Sequence, residues 1–362
     1  MTQVDPAVLD ALRFQRRAFD AASLSSPLYA ALTDAAIADV EAGGPCAAVL
    51  AAAPAGLDPI ADALSLRFLG GVHRLVLRGG APALARWFPT TGGTFTAGDA
   101  ATAGADFVEA VGEHRDELVA GLSLGVQTNE VGRCATLAVG FTALLRRHAL
   151  PLRLLEVGAS AGLNLRWDRW RYVSGDTQWG RPDASLEFRA NYHAPTPDVG
   201  APLGPDAAVA ERLGCDRAPI DPTTAEGRLA LTAFVWPDQD ARHERLAAAL
   251  AAAAAVPAVI DAEDAGAWCE RRLATPVPGC TSVVFHSIVW QYLPAATRSA
   301  MTAAIAAAGA AATADAPVAW LRYEPGRQLD QAAELRLRSW PGGGDDELLA
   351  LSGYHGHPVW SP

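Results

Sequence analysis

The 362-residue sequence contains no lysine, and all 29 of its basic residues are arginine. No Schiff base can therefore form on this chain, and the lysine of a phosphate-binding P-loop is absent. Acidic residues outnumber basic ones by 40 to 29, which gives a net charge of -11. Because an acidic surface repels phosphate backbones, we expect no nucleic-acid partner.

Cysteine and long hydrophobic runs are also scarce. The five cysteines are widely spaced and form no C-x-x-C pair, which predicts free thiols in a reducing compartment. The longest apolar stretch, Leu246 to Ile260, is mostly alanine and is broken by Pro257. It is shorter than the roughly 20 apolar residues that span a bilayer. The acids and arginines near the N-terminus do not fit a secretory signal. We therefore expect a cytoplasmic protein without a membrane partner.

The pattern of apolar residues divides the chain into two predicted domains. Residues 1–150 carry apolar side chains at three- and four-residue spacing, which predicts an N-terminal helical cap domain. In residues 151–362, strand candidates alternate with helical stretches, which predicts a Rossmann-like α/β domain with an open, mostly parallel sheet. Residues 174–227 are rich in Pro, Gly, Asp and Trp, so we expect an insertion there. The predicted strands after it are Leu229–Trp236, Ala258–Ile260, Ser282–Val289, Val318–Tyr323, Glu334–Trp340 and Glu347–Ser352.

The most informative segment is a glycine-rich turn that follows a short apolar strand at residues 152–157. Its small residues Gly158, Ser160 and Gly162 allow a ligand to approach the backbone, and a helix expected after it would direct its positive end at an anion. The dinucleotide fingerprint G-x-G-x-x-G is not matched, because serine and leucine occupy the second and third glycine positions.

A nucleophile elbow, G-x-S-x-G, is matched in full, with Ser160 as the nucleophile. An acid and a histidine that complete a triad in the expected chain order are available in Asp261 or Glu324 and His286 or His355. Against this interpretation, Glu156 would place a costly carboxylate on the preceding apolar strand. Hydrolase folds also place several strands before the elbow, whereas the first half of this chain is predicted to be helical.

The same segment resembles the first-strand motif of class I S-adenosylmethionine-dependent methyltransferases, E/D-x-G-x-G-x-G, with serine replacing the middle glycine. This resemblance implies a methyltransferase-type sheet and S-adenosylmethionine as cofactor. It further implies an acid after the second strand for the ribose hydroxyls and acids after the third for the adenine amino group. Each acid could equally cap a helix. The implied cofactor-binding residues are Glu156, Gly158, Ser160, Gly162, Asn164, Asp238, Asp261 and Asp264.

A second set of residues is expected to serve the methyl acceptor, a small molecule held between the two halves. His286 is the candidate general base, because an imidazole titrates near neutral pH, and Tyr292 can assist. The polar motif at 127–133 exceeds what helix capping needs, so we expect it to line the crevice. Two neighbouring histidines near the C-terminus are too few for a zinc site, so no metal is expected. The expected substrate-binding residues are Gln127, Asn129, Glu130, Arg133, Trp290, Glu324 and His355.

Seven short strings spread along the chain are similar to the bacterial family catalogued as domain of unknown function 2332. They are QTNEVGR (127–133), LLEVGASAGLN (154–164), VWPDQ (235–239), HSIVWQYL (286–293), WLRYEP (320–325), WPGG (340–343) and HGHPVW (355–360). This resemblance covers nearly the whole chain and implies no particular reaction. The sequence thus predicts a methyltransferase, with a serine hydrolase and a non-catalytic S-adenosylmethionine- or nucleoside-binding protein as alternatives.

Overall fold

The computed structural model describes residues 4–20, 25–189, 191–197, 209–326, 332–342 and 345–362. The chain forms two compact units. The first comprises Met1–Thr128 and Ala225–Glu244, and the second comprises Asn129–Thr224 and Arg245–Pro362. The units therefore divide differently from the predicted boundary at residue 150. The helix that ends at residue 148 belongs to the second unit, and the segment 225–244 returns to the first.

The first unit is helical, as its apolar spacing predicts. Its short 3-10 turns are Pro89–Thr91 and Ala97–Asp99, and a further helix, α10 (Asp240–Ala255), begins in this unit and ends in the second. Asp5 and Ser26 cap the first two helices by accepting hydrogen bonds from backbone amides. The helices are α1 (Pro6–Ala18), α2 (Pro27–Ala42), α3 (Pro45–Leu50), α4 (Leu64–Leu77), α5 (Pro82–Ala85), α6 (Ala100–Glu113), α7 (Arg115–Gly121) and α9 (Ala225–Ala233).

A buried histidine ties the returning segment into the first unit. His73 has no exposed surface, and its Nδ1 lies 3.1 Å from the carbonyl oxygen of Ala233, to which it donates a proton. Its Nε2 accepts a hydrogen bond from Thr90 Oγ1 at 2.8 Å. Burial, with a smaller contribution from His243, lowers the pKa of His73 to about 3. The ring is therefore neutral at physiological pH.

The second unit is an α/β unit built on a large sheet. Its helices are α8 (Cys134–His148), α11 (Ala265–Leu273) and α12 (Ala295–Ala310), with 3-10 segments at Val131–Arg133, Leu163–Arg169 and Trp290–Tyr292. Its strands are β1 (Leu152–Val157), β2 (Arg171–Ser174), β3 (Thr177–Gly180), β4 (Glu187–Phe188), β5 (Val209–Asp216), β6 (Val259–Ala262), β7 (Thr281–Ser287), β8 (Val318–Pro325), β9 (Ala333–Trp340), β10 (Glu347–Ser352) and β11 (Val359–Trp360).

Eight strands form the main sheet in the order β11-β10-β9-β8-β7-β1-β5-β6, and three form a small sheet in the order β3-β2-β4. Strands β8, β7, β1, β5 and β6 run parallel, while β9, β10 and β11 pair antiparallel. Numbered by their order along the chain, the five parallel strands lie in the sequence 3-2-1-4-5. The predicted α/β class with a mostly parallel sheet is confirmed.

Helices cover both faces of this sheet, as parallel strands require. On one face, Leu155, Val284 and Trp320 pack with residues of α11 and α12 in a single buried cluster. On the other face, Phe141 of α8 meets the ring of Phe285 edge-on at 5.1 Å. Within the described residues, no helix is both long and apolar enough to cross a lipid bilayer.

Two predicted elements in this region are wrong. Leu229–Trp236 is not a strand, because residues up to Ala233 form helix α9 of the first unit. The second strand of the sheet is β5, which lies inside the segment predicted to be an insertion. The charged residues Glu211 and Arg212 interrupt the apolar pattern by which a buried strand is recognised. Both are paired, Glu211 with Arg153 at 2.7 Å and Arg212 with Asp168.

Candidate functional site

The carboxyl ends of the five parallel strands meet at one edge of the sheet. After β1, the chain adds strands β5 and β6 on one side, and β7 and β8 lie on the other. This reversal makes a topological switch point between β1 and β7. In open α/β sheets, ligands bind outside the carboxyl ends of the strands at such a point. The glycine-rich turn that follows β1 lies at this position.

The turn needs glycine at two positions. Gly158 and Gly162 have φ angles of 68° and 65°, which L-residues with side chains rarely adopt. A Cβ atom added at Gly158 would lie 2.5 Å from the side chain of Val289, and one at Gly162 would lie 2.7 Å from that of Ile260. The turn therefore packs tightly against the segments that follow β7 and form β6.

The backbone amides of the turn are bonded to the protein itself. The amides of Ala159 and Gly162 donate to the carbonyls of Cys215 and Ala159, at 3.0 and 2.6 Å. Ser160 N donates to Asp216 Oδ2 at 2.8 Å, and Leu163 N donates to Asn129 Oδ1 at 2.9 Å. These four donors are thus not presented to an anion.

The segment after the turn is not the α-helix that was predicted. Leu163–Arg169 is a 3-10 segment with a kink at Arg166, where φ and ψ are −107° and 22°. A segment this short carries little helix dipole. Because the amides of the turn are occupied as well, the turn does not form an anion-binding site.

Glu156 is the buried carboxyl group of the site. It is the next-to-last residue of β1, and only 2% of its surface is exposed. Its Oε2 has no hydrogen-bond partner among the described residues. Burial raises the pKa of Glu156 to about 8, although Arg166, a hydrogen bond from Asn164 and Arg133 act in the opposite direction. Asn164 also accepts a contact from the thiol of Cys134 at 3.2 Å. The site thus holds a carboxyl group that is mostly neutral at pH 7 and lacks one partner.

Asp238, the acid predicted to follow the second strand, lies elsewhere in the structure. Asp238 belongs to the helical first unit, where its carboxylate accepts hydrogen bonds from Ser26 Oγ at 2.6 Å and Leu28 N at 3.1 Å. The acid that ends the second strand is Asp216, which was not among the predicted residues. Its two oxygens accept from the amides of Ser160 and Ala218. In the sequence, Asp216 directly follows the small residues Gly214 and Cys215, a pattern that could have identified it. The segment had been predicted to be an insertion, so this pattern was not used.

The two acids predicted to bind adenine have structural roles. Asp261 accepts hydrogen bonds from Trp268 Nε1 at 2.7 Å and from Arg272 at 2.6 Å. Asp264 is the N-cap of α11, accepting from Gly266 N and from Thr297 Oγ1. Its side-chain hydrogen bond to Thr297 lowers the pKa of Asp264. The simpler alternative of helix capping therefore describes Asp264, and Asp261 anchors Trp268 and Arg272 through its Oδ2.

Three residues of the 127–133 motif brace the carboxyl edge of the sheet. Asn129 bonds to the glycine turn, as described above, and Glu130 caps its own 3-10 turn through Gly132 N at 3.0 Å. Arg133 donates to the carbonyl oxygens of Ser287 at 2.9 Å and Tyr354 at 3.1 Å. Gln127 is half-buried in a loop of the first unit. Arg133 is thus a brace between chain segments, which differs from the predicted substrate contact.

The motif also crosses the C-terminal segment at two glycines. A Cβ atom added at Gly132 would strike the carbonyl of His355, and one added at Gly356 would strike the carbonyl of Gly132. His355 Nδ1 lies 3.4 Å from Glu130 Oε2. The two segments therefore need glycine on both sides of the crossing. In the described part of the chain, no three side chains of His, Cys, Asp or Glu are grouped to hold a metal ion.

His286 lies in the interior, although it was predicted to act as a base. It is fully buried, its Nδ1 lies 2.6 Å from Glu324 Oε1, and its Nε2 accepts a hydrogen bond from Trp320 Nε1 at 3.1 Å. Because an indole N–H only donates, Nε2 is unprotonated and Nδ1 carries the proton. Both nitrogens are occupied, so this geometry does not suit a general base. Tyr292, the predicted assistant, is 64% exposed.

Backbone strain is concentrated at this edge. Five described non-glycine residues have positive φ, and three of them lie here: Asn129, Ser160 and Ile288. Ile288 is the least expected, because a β-branched residue with φ of 53° is a genuine outlier. Strain of this kind collects at functional sites and persists where the surroundings hold it in place. It therefore marks the switch point as the candidate site.

Comparison with known families gives one match. The family described as "Uncharacterized protein conserved in bacteria (DUF2332)" matches residues 11–360. The chain belongs to this family. No curated protein and no solved structure matches this DUF2332 member. The family resemblance stated from the seven sequence strings is confirmed, and the family description names no activity.

Proposed function

We propose that this DUF2332 member is an S-adenosylmethionine-dependent methyltransferase that acts on a small molecule at the carboxyl edge of the second unit. The observation that carries the proposal is the glycine-rich turn with Glu156, which stands at the switch point of a 3-2-1-4-5 sheet. Ligands of open α/β sheets bind at this point. A methyltransferase-type fold would use the turn after the first strand in this way.

The chemistry of Glu156 fits the charge of this cofactor. A buried carboxyl oxygen without a donor calls for a partner, and an ammonium or sulfonium group provides positive charge. The carboxyl group is mostly protonated in the free protein, so a cation beside it would favour loss of that proton. Glu156 would therefore bind the cationic part of the cofactor, with the hydrogen bond from Asn164 holding its side chain in place.

Asp216 fits the ribose hydroxyls. It ends the strand next to β1, and each of its oxygens accepts one described backbone amide, which leaves further lone pairs. In this proposal it replaces Asp238, which the helical unit uses as a cap. When bound, the cofactor supplies an electrophilic methyl group on sulfur. The residues of this chain would bind it, orient it and hold the acceptor nearby.

A serine hydrolase is the second candidate, because Ser160 has the left-handed φ of 52° that a strained nucleophile elbow requires. The two histidines considered as its base are engaged elsewhere, His286 with Glu324 and Trp320, and His355 beside Glu130. Ser160 is also only 6% exposed. Labelling of Ser160 by a fluorophosphonate would support this candidate, and we expect none.

Thermal unfolding with S-adenosylhomocysteine tests the proposal. A ligand present at 100 times its Kd stabilises the folded protein by about 2.7 kcal/mol, which raises Tm measurably. We expect this shift in the wild type and a smaller one in Glu156→Gln and Asp216→Asn. Glu211→Gln is the matched control, because it makes the same chemical change near the amino end of β5 and should leave the shift unchanged.

Two outcomes would separate the alternatives. A folded wild type that shows no shift with S-adenosylhomocysteine or S-adenosylmethionine would overturn the proposal. A shift without methyl transfer to any member of a broad panel of small amines, alcohols and thiols would favour the non-catalytic binding protein.

A further inference from the structure

The loop that follows β7 has features that the proposed cofactor site does not use. Ile288 is held in its strained conformation while its amide donates to the carbonyl of Tyr323 at 2.9 Å. The next residues, Val289 and Trp290, donate their amides to Glu324 Oε1 at 3.1 and 3.3 Å. Two groups at the end of β8, the Tyr323 carbonyl and the Glu324 carboxylate, therefore hold this loop in its strained conformation.

The two oxygens of the Glu324 carboxylate differ in their hydrogen bonding. Glu324 Oε1 accepts both amides and the Nδ1 proton of His286, so three donors converge on it. Oε2 is buried and has no hydrogen-bond partner among the described residues. A carboxylate oxygen without a donor is costly to bury, which calls for a partner that the protein itself does not provide.

Two indole rings pack around His286, the side chain that is bonded to this carboxylate. The indole of Trp290 stacks on the ring of His286 at 5.3 Å with an interplanar angle of 16°, and its ring centroid lies 5.8 Å from that of Trp320. Trp290 is half-buried, while the adjacent Gln291 and Tyr292 are exposed. Indole faces attract planar groups and cations. His286 has no hydrogen-bonding nitrogen left for a ligand, because both of its nitrogens are already bonded.

We propose that Glu324 and Trp290 form a second ligand subsite, which takes a planar, positively charged nitrogen group such as an amidine or a protonated aromatic amine. The ligand donates an N–H to Glu324 Oε2 and lies against the indole of Trp290. Since Oε2 is buried, binding requires the 3-10 turn Trp290–Tyr292 to shift, which breaks the bond from the Trp290 amide to Oε1; the ligand's hydrogen bond to Oε2 and its contact with the indole offset that cost. That this subsite holds the methyl acceptor rests on the proposed function, whereas the binding itself does not.

Benzamidinium is a suitable probe, because it is planar, cationic and donates N–H groups. Calorimetric titration should show millimolar binding to the wild-type protein and no binding of benzoate, which has the same ring and the opposite charge. Glu324→Gln should weaken benzamidinium binding by about tenfold or more, the loss expected for one charge-assisted hydrogen bond. Glu211→Gln should bind like the wild type.

Trp290→Leu provides a second variant if Glu324→Gln fails to fold. It removes the indole, keeps the pair of Glu324 and His286, and should weaken benzamidinium several-fold. No binding to the wild type, or equal binding to the wild type and to the folded variants, would overturn the subsite. Titrating S-adenosylhomocysteine in parallel separates the two ideas. If benzamidinium depends on Glu324 while S-adenosylhomocysteine never binds, the proposed function fails and the subsite stands.

Discussion

Replacing Glu156 by glutamine should remove a strong pH dependence from the stability of the second unit. The folded-state pKa of this buried carboxyl is about 8, against an ordinary value of 4.5. Between these values the folded protein holds a proton that the unfolded chain has lost. The contribution of this group to the free energy of unfolding is therefore fully present below pH 4.5 and is lost as the pH rises through 8.

The size of the effect follows from the two pKa values. Between pH 5 and pH 8, the wild type should lose about 3 kcal/mol of stability through this group, whereas Glu156→Gln has nothing to titrate there. Other ionisable groups are common to both proteins, so the difference between their free energies of unfolding isolates Glu156. The variant should be the more stable protein at pH 8.

Urea unfolding followed by circular dichroism at several pH values measures this difference. Hydrogen exchange of the β1 amides assigns the transition to the second unit, because it reports local opening of that strand. If the wild type and Glu156→Gln change in parallel between pH 5 and pH 8, Glu156 is not a buried neutral carboxyl. Glu156 would then offer no buried neutral carboxyl group for a cation to ionise.

Three further predictions concern other parts of the chain. His73 is neutral and has a pKa of about 3, below its ordinary 6.5, so its contribution to stability is lost as the pH falls. Relative to His73→Gln, the wild type should therefore lose about 2 kcal/mol of unfolding free energy between pH 7 and pH 5 in urea unfolding, because the opposite change from Glu156 is common to both proteins. Gly356→Ala should destabilise the protein by about 3 kcal/mol or more, because it adds a clash with the Gly132 carbonyl to the strain of a φ of 81°. Gly279→Ala, with a φ of 77° and open space, should cost only about 1 kcal/mol, and equal losses would refute the steric argument. Ser160→Ala should retain S-adenosylhomocysteine binding in calorimetry, and its loss would point to a direct role for the hydroxyl.

Local patterns predicted much of the fold. The helical character of the described residues from 4 to 148 follows from the apolar spacing, and the strand before the glycine turn is where its apolar run predicts. The burial of Glu156 also followed from its place in that run. These features depend on periodicity and turn chemistry, which neighbouring residues determine.

What could not be predicted depends on distant partners. Strand β5 carries Glu211 and Arg212, and only the positions of Arg153 and Asp168 make these charges acceptable in a central strand. The run 229–236 is short and apolar, and periodicity alone does not distinguish a strand from a helix over that length. As a consequence the second strand was misplaced, and Asp238 was chosen in place of Asp216.

The same limit applies to His286. Its position at the end of a predicted strand was correct, but its two hydrogen-bond partners come from β8, 34 and 38 residues further along the chain. A sequence shows that an imidazole is present. It does not show whether its nitrogens are available to a substrate.

Calorimetric titration of S-adenosylmethionine at pH 7, in buffers with different heats of ionisation, tests the central claim most directly. If the cation binds beside Glu156, the wild type should release about 0.9 proton for each molecule bound, the fraction protonated when the pKa is about 8, and Glu156→Gln should release none. Absence of binding, or binding with the same proton count in both proteins, would contradict the account.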